Sequence, residues 1–137
     1  MTTVTYRHTF QYPTLNDSSF PALQIGIRIP GREESVDIDV YLDSGASESI
    51  FDGSYLAAIG GDLMAGEPKT FNATSGGSFQ AMRHHIQMIH DQLGTFSLVV
   101  AFSLQPIRRS LLGRDFFSLA QIGFRENQLT FLVEPSP

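Results

Sequence analysis

The sequence contains no cysteine among its 137 residues. Disulfides and thiolate metal sites are therefore excluded, and the redox compartment stays open. Residues 1–20 include no apolar segment of the kind that forms a signal peptide. No apolar run approaches the roughly 18 residues that a membrane-spanning helix requires. The sequence therefore predicts a soluble protein without a membrane segment in this chain, and the cytoplasm is the favoured compartment.

Positive charge is also scarce, because nine lysines and arginines face fourteen acidic residues and the net charge is −5. Charged residues make up only 17% of the chain. An acidic surface is repelled by the phosphates of DNA and RNA. We therefore expect no nucleic-acid partner.

What the chain does contain is typical of an all-β protein. Apolar residues make up 42% of it, and twelve glycines and seven prolines supply turns. Phenylalanine and β-branched residues recur in short runs, as they do in strands. The length suits one domain with a real core. We predict a single all-β domain over residues 1–137, with a strand and a loop in residues 1–20.

The clearest strands lie in the first half of the chain. Residues 23–29 and 36–42 both alternate between apolar and other side chains, and the polar turn 30–34 separates them. This pattern predicts a hairpin whose second strand ends at Asp43. A carboxylate at the end of a buried strand is costly unless it is hydrogen-bonded or needed for function.

Further elements follow in the rest of the chain. A glycine-rich tip separates two predicted strands, and a short apolar segment that ends in glycine precedes the best helix candidate. The predicted strands are 70–73, 79–89, 96–102, 111–113, 122–124 and 128–133, and the predicted helices are 55–59 and 114–120.

Two short motifs and the glycine-rich tip resemble those of the retropepsin-like aspartic proteases, the half-sized relatives of pepsin. The first motif is Leu42-Asp43-Ser44-Gly45-Ala46-Ser47, and the second is Leu111-Leu112-Gly113-Arg114-Asp115. Asn72-Ala73-Thr74-Ser75-Gly76-Gly77 lies between them, in the position of the family's flap tip. The resemblance implies a closed acid-protease-like barrel of one half-size domain, with a β-hairpin flap and one short C-terminal helix. A cellular or bacterial member is favoured over a viral one.

The resemblance also implies an aspartic endopeptidase with Asp43 as its catalytic residue. Peptide hydrolysis by this route needs two carboxylates that share a proton around one water molecule. The chain has one such motif, since Asp52-Gly53-Ser54 has the wrong order. An active form would therefore be a homodimer in which each protomer contributes one Asp43. Such an enzyme acts on a peptide or protein substrate and uses no cofactor and no metal.

Other roles are carried over by the same resemblance. Ser44, Gly45 and Ala46 would form the active-site loop, in which the Ser44 hydroxyl hydrogen-bonds across the dimer axis. Thr74, Ser75, Gly76 and Gly77 would form a flap that closes over the bound peptide. Leu111, Leu112, Gly113 and Arg114 would support the loop from below.

Position 47 departs from the viral pattern. Viral members usually have an acid four residues beyond the catalytic aspartate, which pairs with the arginine of the second motif and helps fix the dimer. Here that position is Ser47. Arg114 would have to use Glu48, Asp115 or its dimer mate. Residues 128–133 are a candidate for an interface sheet, and their role stays open.

Three other interpretations remain. The chain could be a non-catalytic domain of the same fold that binds peptides or dimerises. It could also be a different all-β domain, in which Asp43 caps a turn through its own backbone. A metal site built on His84 and His90 is disfavoured, because six residues of strand separate them by roughly 20 Å.

Overall fold

The protein is described here by a computed structural model of residues 3–15, 18–72 and 76–137. Strands dominate, so the all-β prediction is confirmed. No helix of these ranges is long and apolar enough to cross a membrane. The strands are β1 His8–Gln11, β2 Thr14–Leu15, β3 Ser18–Ser19, β4 Ala22–Arg28, β5 Ser35–Leu42, β6 Ile50–Asp52, β7 Glu67–Asn72, β8 Ser78–His90, β9 Gly94–Ser103, β10 Ser110–Leu112, β11 Ala120–Arg125 and β12 Thr130–Pro135, and the helices are α1 Ser54–Ala58 and α2 Arg114–Phe117.

The main sheet has the strand order β4-β5-β10-β6-β9-β8-β7. Strand β4 also pairs with β8, so six of these strands form a closed ring of pairings. The predicted hairpin of β4 and β5 is present, with Ile25 opposite Ile38. Strand β10 runs parallel to β5 and antiparallel to β6. This parallel pairing brings the second motif beside the first.

The core fills the inside of this ring. Alternate side chains of the strands point inward, and Ile27, Val40, Ile86 and Phe102 are each fully buried. Burying one such side chain stabilises the fold by about 1.5–3 kcal/mol. The alternation that predicted β4 and β5 is therefore the alternation between core and surface.

A second sheet in the described residues has the order β1-β12-β11. The strands predicted at 122–124 and 128–133 correspond to β11 and β12, which pair as a hairpin. Strand β1 pairs with β12 and places His8 opposite Val133. Arg7 and Glu134 form an ion pair beside this sheet, in which Arg7 Nε donates to Glu134 Oε2 over 2.8 Å.

Several predicted bounds need correction. Of the strand and the loop predicted in residues 1–20, the strand is limited to β1, with residues 1 and 2 outside the described ranges, and the loop contains the short hairpin of β2 and β3. The predicted helix 114–120 ends at Phe117, because Ala120 already pairs with Pro135 in the second sheet. The predicted strand 70–73 begins earlier, at Glu67, which lies opposite Arg83.

Candidate active site

Asp43 lies directly after β5, where β5 and β10 run side by side. Leu42 is opposite Leu112, and the Asp43 amide donates to the Leu112 carbonyl over 2.9 Å. Leu42 and Leu112 are both buried, whereas Asp43 is half-buried. The carboxylate therefore emerges from the core at the ends of two parallel strands.

The loop after Asp43 folds back onto its side chain. The Gly45 amide donates to Asp43 Oδ1 over 2.8 Å, and the Ala46 amide donates to the Asp43 carbonyl over 3.2 Å. A Cβ atom on Gly45 would lie 3.1 Å from Asp43 Oδ1. Ser44 and Gly45 are exposed, so their polar groups are available to a partner or a ligand.

Gly113 is the point at which the two motifs touch. A Cβ atom at this position would lie 2.7 Å from the Ala46 carbonyl oxygen and 2.8 Å from the Glu48 carbonyl oxygen. Both are backbone atoms, so a side chain cannot be accommodated by a rotamer change. The Arg114 amide also donates to the Ala46 carbonyl over 2.8 Å. We call residues 43–49 together with 110–115 the Asp43 cradle.

Ser49 and Asp115 fasten the cradle from inside, and the sequence did not single them out for this role. Ser49 is fully buried, and its Oγ accepts from the Gly113 amide over 3.0 Å. The same hydroxyl donates to Asp115 Oδ1 over 2.6 Å, and the Ser49 amide donates to Asp115 Oδ2 over 2.8 Å. Asp115 Oδ1 also accepts from the Phe116 amide. No sequence signal joins two residues that lie 66 positions apart.

Arg114 is exposed and does not pair with either acid considered for it within its own chain. Asp115 is occupied by Ser49, and Glu48 binds Arg83 of β8. Arg83 Nε donates to Glu48 Oε1 and a terminal nitrogen donates to Oε2, both over 2.9 Å. The hydrogen bond with Glu48 raises the pKa of the Arg83 guanidinium above its ordinary value. The cradle is therefore tied to β8 by a residue outside both motifs.

A pocket of about 400 Å³ lies beside Asp43. In the wall of this pocket, the Tyr12 hydroxyl donates a hydrogen bond to Glu126 Oε1 over 2.9 Å. Burial, together with this bond, raises the pKa of Tyr12 to about 12, so the phenol stays protonated at ordinary pH. The pocket is lined by Tyr12, Ser19, Phe20, Pro21, Leu42, Asp43, Ser44, Phe124 and Glu126.

The hairpin of β7 and β8 occupies the position predicted for a flap. Asn72 lies opposite Ser78, and the rings of Phe71 and Phe79 stack with their centroids 5.3 Å apart. Gly76 has a φ of +91°, and among residues 3–15, 18–72 and 76–137 no atom lies within 4 Å of a Cβ built on Gly76 or Gly77. The predicted flap residues Thr74 and Ser75 lie outside the described residues.

The arrangement places the half-exposed Asp43 carboxylate on a loop that is fixed by hydrogen bonds. One carboxylate can give or take a proton, but sharing a proton around a water requires a second one close by. Across residues 3–15, 18–72 and 76–137, no three histidine or acidic side chains are grouped to hold a metal ion.

No protein-family model and no curated protein matches the sequence. The fold, however, matches solved structures. A retropepsin-like aspartic protease from Rickettsia conorii matches with a TM-score of 0.64 and 19% identity over 93% of this chain and 91% of its own. The EIAV protease, solved in complex with an inhibitor, matches with a TM-score of 0.51 and 17% identity over 77% of this chain and 92% of its own. The chain therefore has the fold of the retropepsin-like aspartic proteases.

Proposed function

We propose that the protein is an aspartic endopeptidase that is active as a homodimer. The observation that carries this proposal is the position of Asp43, a half-exposed carboxylate at the ends of two parallel strands of a retropepsin-like fold. The Asp43 carboxylate accepts a hydrogen bond from the Gly45 amide and faces a pocket.

Hydrolysis would proceed through a water held between two Asp43 carboxylates, one from each protomer. Two carboxylates that both contact one water molecule share one proton, because like charges so close together cannot both ionise. The ionised carboxylate takes a proton from the water as it attacks the scissile carbonyl carbon, and the protonated one donates to the carbonyl oxygen. The tetrahedral intermediate then collapses as its nitrogen is protonated and the amine leaves.

The other predicted residues take supporting roles in this proposal. Ser44 is exposed beside Asp43, where its hydroxyl can hydrogen-bond to the second protomer. Gly45 and Ala46 fold the loop back so that a peptide backbone can approach. Leu111, Leu112 and Gly113 hold the loop from β10, and Arg114 is exposed at the start of α2.

The β7–β8 hairpin would cover a bound peptide with Thr74, Ser75, Gly76 and Gly77 at its tip. An extended peptide fits such a cleft, where alternate side chains enter pockets. Residues 1–137 would act together as one domain in each protomer. Closure over the peptide would exclude water from the reacting groups.

The second candidate is a non-catalytic domain of this fold that binds peptides or dimerises. The observation that favours it is Arg114, which makes no ion pair with any residue in the described ranges. In viral members the corresponding arginine pairs with an acid and helps fix the dimer. Without that pair, a dimer of different geometry would hold its two carboxylates too far apart to share a proton.

Cleavage of an unstructured peptide mixture at pH 4 to 6 tests the catalytic proposal. Wild type should cleave and Asp43→Asn should not, because an amide cannot act as the acid or base. Asp91→Asn is the matched control, since Asp91 is an exposed aspartate in the turn between β8 and β9. Equal cleavage by wild type and Asp43→Asn would exclude the proposal.

Mixing wild type with Asp43→Asn tests the homodimer. If both carboxylates are needed, an equal mixture should retain about one quarter of the wild-type activity, because about one quarter of the dimers carry two aspartates. If each chain acts alone, about one half should remain. Sedimentation gives the oligomeric state directly, and a dimer that binds peptides without cleaving them would support the second candidate.

A further inference from the structure

Arg109 presents a positive charge on the loop between β9 and β10. Its guanidinium carbon lies 4.9 Å from the centre of the Tyr41 ring and 5.5 Å from that of Phe20. The two rings are themselves 5.1 Å apart. Aromatic faces attract a guanidinium and restrict its motion. Because Arg109 is exposed, its hydrogen-bond donors remain accessible.

The two aromatic rings fix this charge close to Asp43. Tyr41 lies near the end of β5, two residues before Asp43 and about 7 Å from it by the rise of a strand. Phe20 lines the same 400 Å³ pocket as Asp43. The Leu42 amide donates to the Pro21 carbonyl over 2.9 Å and holds Phe20 beside β5. Arg109 therefore stands against Phe20, which forms part of the wall of the Asp43 pocket.

The loop that carries Arg109 is fastened at two points. Asp52 Oδ2 accepts from the Ile107 amide over 3.0 Å. Ser103 Oγ donates to the Gln105 carbonyl over 2.6 Å and accepts from the Gln105 amide over 3.2 Å. These bonds hold the backbone on either side of Pro106. The charge is thus held by the loop as well as by the rings.

Other charged groups also face this region. Arg108, Arg109, Asp39 and Asp52 line a neighbouring pocket of about 560 Å³. Asp52 accepts from the Ser54 hydroxyl as well as from Ile107, and its pKa is lowered because these hydrogen bonds outweigh its burial. Ion pairs in the described ranges involve Arg7 and Arg83 and leave Arg109 out. Asp39 and Asp52 are thus the acids lining this pocket that can compete with a ligand for the guanidinium.

We propose that Arg109 makes the enzyme prefer peptides with an acidic side chain next to the scissile bond. This inference rests on the proposed protease function. A substrate carboxylate can accept two parallel hydrogen bonds from a guanidinium. The side-chain amide of glutamine has a single acceptor oxygen and cannot accept such a pair. The two aromatic rings hold the guanidinium donors in place before the substrate binds, which reduces the entropy lost on binding.

The test uses matched pairs of fluorogenic peptides that differ only in Glu or Gln beside the cleaved bond. At pH 6, wild type should show a kcat/KM about fivefold higher for the Glu peptide, the size expected of an exposed ion pair. The ratio should fall toward one in Arg109→Ala, with cleavage of the Gln peptide retained. Arg108→Ala is the control and should keep the wild-type ratio. A wild-type ratio of one, or equal loss in both variants, would overturn the inference.

The pH dependence provides a second readout. A glutamate side chain protonates near pH 4.3, so the wild-type preference should fall as the pH drops through this value and be nearly lost at about pH 3.5. Arg109→Ala should show no such change in its ratio. A preference that persists at pH 3.5 would mean that shape rather than charge is recognised.

Binding separates this inference from the proposed function. Asp43→Asn cannot cleave the peptides, so their affinities can be measured on it by fluorescence anisotropy. Tighter binding of the Glu peptide, abolished by adding Arg109→Ala, supports the role of Arg109 even if wild type proves inactive. Equal binding of the two peptides, or no binding of either, contradicts it.

Discussion

The Asp43 cradle and the β7–β8 hairpin both depend on glycine, but for opposite reasons. In the cradle, Gly113 is enclosed by the backbone of Ala46 and Glu48 and leaves no room for a methyl group. In the hairpin, no described residue approaches a Cβ built on Gly76 or Gly77, and Gly76 has a positive φ. Packing thus requires glycine in the cradle, and backbone conformation favours it in the hairpin.

The two regions also differ in how they are held together. The cradle is built from hydrogen bonds between segments more than sixty residues apart, such as those from Ser49 to Asp115. The hairpin is a ladder between neighbouring strands, with most side chains of β7 exposed. We therefore expect substitutions in the cradle to change global stability and activity together, and substitutions in the hairpin to act mainly on peptide binding.

The largest effect is expected for Gly113→Ala. The added methyl group would lie under 3.0 Å from backbone atoms, so β10 or the Asp43 loop must shift. We expect a loss of about 3 kcal/mol in the free energy of unfolding and a melting temperature lower by about 10 °C. Thermal and urea unfolding measure both quantities.

Gly77→Ala is the matched control for this substitution. It introduces the same methyl group in open space, at a residue without positive φ. Its melting temperature should stay within about 2 °C of wild type. Equal destabilisation by the two substitutions would remove the contrast between the regions.

A smaller effect is expected for Ser49→Ala. The change deletes the hydroxyl that accepts from the Gly113 amide and donates to Asp115, and leaves that amide buried without its partner. We expect the free energy of unfolding, measured with urea, to fall by about 2 kcal/mol. Ser47→Ala, at an exposed position of the same loop, should change stability by less than about 0.5 kcal/mol. Similar losses for the two serines would contradict the role assigned to Ser49.

The smallest effect on stability is expected for Arg83→Ala, which cuts the tie between the two regions. Arg83 joins Glu48 of the cradle to Glu67 of β7. Its side chain is 26% exposed, and that of Glu48 is 21% exposed, so we expect a loss of about 1 kcal/mol. We expect kcat/KM to fall more, by about tenfold, because the Asp43 loop loses an orienting contact.

Arg83→Lys is the informative comparison here. Lysine keeps the charge but cannot form the two parallel hydrogen bonds that Glu48 accepts. It should restore most of the stability but only part of the activity. Full recovery of kcat/KM by lysine would mean that charge alone matters at this position.

The alternation of apolar and polar residues was enough to predict the two strands of the hairpin that leads to Asp43. Strands β4 and β5 were predicted to within one residue at each end, because alternation between buried and exposed side chains is visible in the sequence itself. The second motif was also visible, but its parallel pairing with β5 was not, since nothing local specifies a neighbour about seventy residues away. The resemblance to retropepsin-like proteases supplied the order of the motifs, and the fold comparison agrees with it.

The contacts that fasten the site were not predictable in this way. Arg83 lies on a strand without any motif, and its pairing with Glu48 depends on how β8 passes the Asp43 loop. Ser49 reads as an ordinary polar residue until the fold buries it against Asp115. The early end of α2 likewise follows from a tertiary contact, the pairing of Ala120 with Pro135.

Strand β8 has a mechanical consequence for the hairpin that it forms. It runs without interruption from Ser78 to His90, and its ladder with β9 starts at Ala81. The Gln80 carbonyl accepts from the Leu104 amide, so only Ser78 and Phe79 project beyond the clamped part. From Ala81 onward the strand is therefore held by its pairing with β9, whereas its first residues pair with β7 alone. We expect the hairpin to bend near Gln80 when its tip is displaced, because the pairing of β8 with β9 begins there.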